Sequence, residues 1–457
     1  MSLLMFVFIG MVVFLRSTVS NFSLYFTLRW LKCMYRNPRK ATAHRFIVII
    51  PALREQAVLE ETINYFLRVN YPTDRIMLLV VTTERETAET SFFPARTLTT
   101  PQLVAKLKMV INPPNGLLLE HLHYPDPCGI MVDQVNYAFK YIIERFPDNR
   151  SKIFAAIYNA DSRPNLDTFQ VVSGVALQNN GRVFQQSALF FENIHRVVET
   201  NHFPVSRILQ ANSVLQSRWT LVHEISRFIR QSWFLSRLGL RLFLAHTVGH
   251  GLFLRLDLID EIQCMPTGTL TEDLFFGYLL SLLGEPIRPL PVMESSESPD
   301  TMVKALKQKY IWFFGPLDHL EYSRRLRDYG FSFSPIITCW FALQGLLPAA
   351  AWLAQGWFLF YLFLYPLVFS KPQLLFISSF LALFYGPLSW YLILRQYKEL
   401  SRYMSRDDHL KRRDVWWILA LSPIAIFLHS IPPIFSLLAK FRQIIYGKLP
   451  PKPKTER

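Results

Sequence analysis

From Pro335 to Leu394 only Lys371 interrupts a continuous apolar run, and a second apolar block extends from Val415 to Leu438. About twenty apolar residues span the hydrocarbon core of a bilayer, so the C-terminal third of this 457-residue chain must be membrane-embedded. The N-terminus is also uncharged and apolar from Leu3 to Leu15, which is short for a span. It lacks the positive first region and small-residue cleavage site of a secretory signal. Two extensions are open: the span continues through Thr18 to Thr27, or Asn21–Tyr35 lies on the membrane surface as an amphipathic helix. Arg29, Lys32, Arg36, Arg39 and Lys40 follow closely and place the next domain in the cytoplasm by the positive-inside rule.

The other end is less simple. The loop Arg395–Arg413 and the tail Lys440–Arg457 are both basic, and one ordinary span between them cannot put both in the cytoplasm. Either Pro423, Pro432 and Pro433 break the last block into a re-entrant hairpin, or one basic segment is tolerated outside. The net charge of +15 does not point to nucleic acid, because the charges flank apolar spans, where anionic lipid headgroups account for them. Cys33, Cys128, Cys264 and Cys339 have no close spacing, which argues against a zinc site or a disulfide framework.

The middle, from about Arg45 to Arg327, has ordinary soluble composition. Arg45–Pro51 reads as a short buried strand, a periodic helix follows to about Val69, and Ile76–Val81 is the next strand, which makes a βαβ unit. The alternation predicts further strands at Leu107–Ile111, Ile153–Tyr158 and Val183–Phe191, with helices at Val132–Arg145, Leu166–Gln178 and Trp219–Leu235. An α/β domain with a largely parallel sheet results, and such sheets bind ligands beyond the carboxyl ends of their strands.

Polar groups at those ends are the candidates. Pro51 and Glu55 close the first strand, Thr83 and Glu84 the second, and Asn159 and Asp161 the fourth. Turns are polar in any protein, but three such clusters on one edge make a site. Asp161, leaving a buried strand with an oxygen donor two residues before it, suits Mg²⁺ or Mn²⁺, which take few protein oxygens and complete their shell with phosphate and water. Gly249 and Gly251 flank His250 and allow close backbone approach to a ligand; the competing reading is a plain turn into a strand. Glu272 and Asp273 follow Thr271 at a predicted helix N-terminus, where an anion is favoured whether or not it does chemistry. Gln308 and Trp312 are four apart and share a helix face, which would equally suit an interfacial helix anchored by Trp312 and Phe313.

Taken in order, these segments resemble the membrane-embedded, inverting family 2 glycosyltransferases, the group that includes cellulose, chitin and hyaluronan synthases. The resemblance rests on Pro51-x-x-x-Glu55, on Asn159-Ala160-Asp161 where the family has Asp-x-Asp, on Thr271-Glu272-Asp273, and on Gln308-x-x-x-Trp312 where it has Gln-x-x-Arg-Trp. It covers about Arg45 to Pro316 and implies a GT-A nucleotide-sugar domain, Rossmann-like, flanked by transmembrane helices. The expected division is residues 1–44 as an N-terminal membrane and interfacial segment, 45–330 as the cytoplasmic catalytic domain, and 331–457 as a membrane region with a basic loop and tail.

By the same resemblance Pro51, Glu55, Thr83, Glu84, Asn159 and Asp161 bind the nucleotide-sugar, with Asp161 also on the metal. Asp273, assisted by Glu272, is the catalytic base, and Gly249, His250, Gln308 and Trp312 face the acceptor. A sugar hydroxyl is a poor nucleophile until a positioned carboxylate takes its proton, so the residue types suit the chemistry.

Four departures matter. Thr82-Thr83-Glu84 stands where the family has paired aspartates, Asn159 replaces an aspartate, Met131 replaces a lysine, and Ile311 replaces the arginine of the last motif. The expectation is a hexosyltransferase-like enzyme of a bacterial-type plasma membrane, extending a polysaccharide. Alternatives are transfer of one sugar to a lipid or other membrane acceptor, and an inactive homologue acting as partner or scaffold. A transporter is disfavoured, because the carboxylates cluster in the soluble domain rather than at mid-membrane.

Overall fold

The computed structural model describes residues 3–88, 98–111 and 118–446. A long first helix, α1 (Leu3–Arg36), leads into β1 (Arg45–Pro51), α2 (Leu59–Phe66), β2 (Ile76–Thr83), α3 (Glu84–Ala88), α4 (Thr100–Ile111) and β3 (Leu118–Tyr124). Then come α5 (Met131–Arg145), β4 (Ile153–Ile157), β5 (Arg163–Pro164), α6 (Thr168–Asn179), β6 (Val183–Gln185), β7 (Ala188–Leu189), α7 (Arg196–Thr200) and α8 (Val205–Trp219). A π-helical turn, Thr220–Glu224, joins α8 to α9 (Ile225–Leu238). They are followed by β8 (Leu252–Arg255), α10 (Leu256–Ile262), α11 (Glu272–Leu283), β9 (Ile287–Pro289), β10 (Glu294–Ser295), α12 (Met302–Leu317) and α13 (His319–Asp328). The last third is helical: α14 (Pro335–Val368), α15 (Pro372–Tyr385), α16 (Pro387–Arg395), α17 (Tyr397–Tyr403), α18 (Arg412–His429) and α19 (Pro432–Tyr446).

The fold is mixed α/β around a seven-stranded sheet of order β3-β2-β1-β4-β8-β6-β9. The pairs β3/β2, β2/β1, β1/β4 and β6/β9 are parallel, and only β8 runs against its neighbours. Runs such as Phe46-Ile47-Val48-Ile49-Ile50 are buried on both faces, as a helix-covered parallel sheet requires. Ile47 and Ile49 pack toward α5, α10 and α11, while Phe46, Val48 and Ile50 pack toward α2, α4 and α6. The chain passes from β1 to β2 and β3 on one side and returns to β4 on the other, so the crevice between the carboxyl ends of β1 and β4 is the expected ligand site.

Two expected strands differ. Leu107–Ile111 lies in α4, because Leu103, Val104, Leu107 and Ile111 are buried at helical spacing. The third strand is Leu118–Tyr124, paired with β2, and its Glu120, His121 and His123 hid it from a search for apolar runs. Val183–Phe191 divides into β6 and β7, which belong to different sheets. β7 joins β5 and β10 in a three-stranded sheet with the order β5-β10-β7.

Four helical stretches are long and apolar enough to cross a membrane: Leu3–Arg36, Pro335–Val368, Pro372–Arg395 and Arg412–Tyr446. The first is a single helix of 34 residues. Large apolar side chains such as Phe8, Phe22, Trp340, Phe376 and Trp416 are exposed on these stretches. The last stretch breaks ahead of Pro432, while Pro423 stays inside α18. α19 packs on α12, and Lys440 Nζ bonds Asp318 and Glu321 at 2.6 and 2.7 Å. The basic loop Arg395–Arg413 docks on the α/β layer: Asn165 Nδ2 donates to the Tyr403 carbonyl at 2.9 Å, and Arg207 pairs with Asp414 at 2.7 Å. Of the basic tail Lys440–Arg457, the part beyond residue 446 lies outside the described residues.

Candidate active site

Beyond the carboxyl end of β4, a cavity of about 430 Å³ opens between the sheet, α8, α11 and α12. Asn159 and Asp161 line it from the sheet edge, Gly249 and His250 from the loop before β8, and Glu272 and Asp273 from the start of α11. Gln308 and Trp312 complete it from one face of α12. The wall continues through Pro348, Ala349 and Trp352 of α14 to His429 of α18, so the polar crevice is continuous with the apolar helices.

Asp273 is held by backbone. Its Oδ2 accepts from the Gly249 amide at 3.0 Å and its Oδ1 from the Leu274 amide at 2.9 Å. Its carbonyl accepts from Thr247 Oγ1 at 2.6 Å. Thr271 caps α11 and Glu272 is its first residue, which puts both carboxylates on the donor-rich end of the helix. This end is wedged between two backbones. A Cβ on Gly277 would stand 2.2 Å from the Thr247 nitrogen, and one on Gly315 would stand 2.4 Å from Thr271 Oγ1. Glycine at both positions lets α11 and α12 close on the 246–250 loop.

Two further carboxylates face the same cavity and had no sequence signal. Glu294 is buried in β10, and its Oε2 stands 2.7 Å from His250 Nδ1. Burial opposes a charge on His250, but attraction and the hydrogen bond from Glu294 outweigh it and push the imidazole up to about 9. The short polar run around Glu294 read as a loop, because a two-residue strand has no periodicity to detect. Glu224 ends the π-helical turn, and its Oε1 is buried without a hydrogen-bond partner. Burial pushes its carboxyl up to about 7, against the pull of Ser187, His250 and Arg227. In the sequence it belonged to a helix with a charged face. The π-helical turn, which often marks a functional site, is visible only in the structure.

The remaining sequence candidates lie elsewhere. Pro51, Glu55, Thr83 and Glu84 sit at the ends of β1 and β2 and are not part of the cavity wall. They belong to a hydrogen-bonded platform: Glu55 N donates to Thr100 Oγ1 at 3.1 Å, and Arg85 N donates to Thr83 Oγ1 at 3.3 Å. Glu84 Oε2 meets His123 Nε2 at 2.8 Å. Gln308 Oε1 accepts from Gln216 Nε2 at 2.6 Å, and the Trp312 ring packs 6.2 Å from that of Phe190.

A hydrogen-bonded relay of one arginine and two neutral imidazoles backs the cavity. Arg227 Nη1 stands 3.0 Å from His246 Nδ1, and His246 Nε2 stands 2.8 Å from His319 Nε2. His319 Nδ1 donates to the Pro316 carbonyl at 3.0 Å, so its Nε2 accepts from His246, whose Nδ1 accepts from Arg227. Burial keeps both imidazoles neutral, holding His319 at about 4 and His246 well below its ordinary value.

A family model described as "Glycosyl transferase family group 2" matches residues 207–428, from α8 through α18. No curated protein matches the chain. Among solved structures, the chain is similar to mannosyltransferase PcManGT from Pyrobaculum calidifontis, in complex with GDP-Man and Mn²⁺, with 14% identity and a TM-score of 0.47. That alignment covers 93% of this chain and 98% of the other. It is also similar to S. aureus TarS 1-349 in complex with UDP-GlcNAc, with 12% identity, a TM-score of 0.35, and 83% and 90% coverage.

Proposed function

We propose that the protein is a membrane-bound glycosyltransferase that moves a sugar from a nucleotide-sugar donor, on the cytoplasmic face, with inversion. The observation that carries this reading is that Asp161, beyond a strand end, lines the same cavity as Asp273, whose carboxylate accepts from the Gly249 amide. The donor lies along the β4 edge with its diphosphate toward Asp161. Asp273 takes the proton from the attacking hydroxyl as the bond to the anomeric carbon forms and the nucleoside diphosphate departs. Attack from the face opposite the leaving group inverts that carbon. Glu272 supports the base, Gly249 and His250 border the acceptor, and Gln308 and Trp312 hold it from α12. Pro51, Glu55, Thr83 and Glu84 would then meet the nucleoside, farther along the edge.

A divalent cation fits this donor set in a limited way. Among the described residues no group of three His, Cys, Asp or Glu could hold a metal, so Mg²⁺ or Mn²⁺ would be held by Asp161, with the Asn159 amide oxygen beside it, and mostly by the donor's phosphates. When bound, it would neutralise charge building on the leaving diphosphate.

Extension of a polysaccharide, as in cellulose- or chitin-synthase-like enzymes, is the primary reading, on the strength of Gln308 and Trp312. Transfer to a lipid acceptor is a second, favoured by the continuity of the cavity with α14 and α18. The division into residues 1–44, 45–330 and 331–457 is part of the proposal, as is a plasma-membrane location. The test is transfer from a panel of nucleotide-sugars by purified protein, with and without Mn²⁺ or Mg²⁺. One metal-dependent donor is expected; a folded protein that binds none would be an inactive homologue.

A further inference from the structure

Positive charge that the transfer reaction does not use gathers beside the cavity. His223, in the π-helical turn, is held well below its ordinary value by burial and then by Arg16, Arg227, Arg218 and Arg230. All four guanidinium groups therefore act on one ring. Arg230 is exposed; the other three are gathered where α1 meets the turn and the membrane helices. Arg218 is 5% exposed, its Nε donates to Ser389 Oγ at 2.7 Å, and its Nη2 is buried without a partner. Its guanidinium lies 5.5 Å over the ring of Tyr385. Arg16 sits inside the first apolar stretch with its Nε buried and unpartnered, and it shares a small cavity with Gln355 and Tyr385. Arg227 lines the main cavity.

None of these three arginines has a carboxylate within salt-bridge distance among the described residues. Glu224 is the one acidic group that acts on Arg227. Buried guanidinium groups are ordinarily paired, and an ionisable residue within a membrane segment marks a ligand or ion site more often than a structural one. Planar guanidinium forks match phosphate oxygens in geometry and charge.

We propose that Arg227 forms a phosphate site in the cavity wall, with Arg16 adding positive field from outside the cavity, and that this site takes the phosphate group of an amphiphilic acceptor. The acceptor's apolar chain would run along α14, where Pro348, Ala349 and Trp352 extend the cavity wall. The site itself stands on Arg227 in the cavity wall; its role as acceptor site rests on the proposed transferase reading.

The test uses the full chain in a maltoside detergent and reads binding rather than turnover. Dodecyl phosphate, dodecanol, inorganic phosphate and a nucleoside diphosphate with Mn²⁺ are titrated against wild type, Arg16→Gln, Arg227→Gln and the charge-retaining Arg227→Lys. Dodecyl phosphate should bind and dodecanol should not. Arg227→Gln should weaken dodecyl phosphate about tenfold or more, as loss of a charge-assisted phosphate contact does, with nucleotide affinity unchanged and Arg227→Lys intermediate; Arg16→Gln, which removes only field, should weaken it less. Unchanged dodecyl phosphate affinity in Arg227→Gln would overturn the site. Inorganic phosphate binding as tightly as dodecyl phosphate, or nucleotide affinity falling with Arg227→Gln, would overturn the lipid assignment in favour of free phosphate or the donor. A protein that transfers from no nucleotide-sugar but binds dodecyl phosphate through these arginines would refute the proposed activity and leave the site standing.

Discussion

His250 Nδ1 and Glu294 Oε2 stand 2.7 Å apart, tying the loop before β8 to the middle strand of the small sheet. Folded His250 keeps its proton up to about pH 9, whereas an unfolded histidine releases it near ~6.5. The pair's stabilisation is therefore complete below ~6.5 and is lost as pH rises toward 9. Glu294→Gln should lower stability by about 3 kcal/mol near pH 6.5, as breaking a buried pair does. It should also flatten the fall in Tm between pH 6.5 and 9. Parallel Tm profiles for mutant and wild type would remove the pair as the cause.

Glu224 gives a second window at lower pH. Its carboxyl is pushed up to about 7 in the folded protein by burial, against ~4.3 in an unfolded chain. The native state binds the extra proton, so this contribution is present below ~4.3 and is lost as pH rises through 7. Glu224→Gln should flatten the decline between pH 4.5 and 7 and, because Glu224 also helps raise His250, narrow the His250 window slightly from its upper end. Differential scanning fluorimetry across that range decides it.

For the proposed base, Asp273→Asn should reduce transfer by about 10²–10⁴-fold, the usual worth of a positioned general base, with donor affinity retained. Single-turnover rates beside equilibrium donor binding separate the two effects. A mutant that turns over like wild type would move the base elsewhere.

Asp161→Ala should abolish the part of nucleoside diphosphate binding that depends on Mn²⁺ or Mg²⁺, since the carboxylate is the proposed protein charge on the cation. Calorimetric titration of the nucleotide with and without the ion makes the comparison. If the metal dependence persists, the ion sits elsewhere.

Gly277→Val tests the packing behind Asp273. A Cβ there would stand 2.2 Å from the Thr247 nitrogen, a backbone atom that cannot swing aside. Overpacking of this kind costs about 1–3 kcal/mol, so Tm should fall. Transfer should fall with it, because Thr247 Oγ1 donates to the Asp273 carbonyl.

Legibility in the sequence followed how much of each feature was local. β1, β2, β4 and α5 were visible because burial on both strand faces, or on one helix face, leaves a run or a period. β3 was not, since Thr82 Oγ1 meets both His121 Nε2 and His123 Nδ1 at 2.8 Å, so this strand spends polar side chains on its neighbour. At the site, Asp161, His250, Asp273, Gln308 and Trp312 could be named because each belongs to a short ordered pattern. That they share a cavity depends on α12 returning over α11, a long-range contact that no local pattern encodes. Glu224 and Glu294 show the same limit, for their meaning comes from partners more than forty residues distant or from burial alone.

The glycine at position 345 has a wider bearing. A side chain there would meet the His319 ring at 2.3 Å, and that ring holds His246, next to the threonine that anchors Asp273. A helix long enough to cross the bilayer thus rests, through three side chains, on the peptide that aims the proposed base. On the proposed reading, lipid thickness becomes a variable of catalysis: reconstitution into bilayers of differing acyl length should tune turnover without touching a single residue of the site.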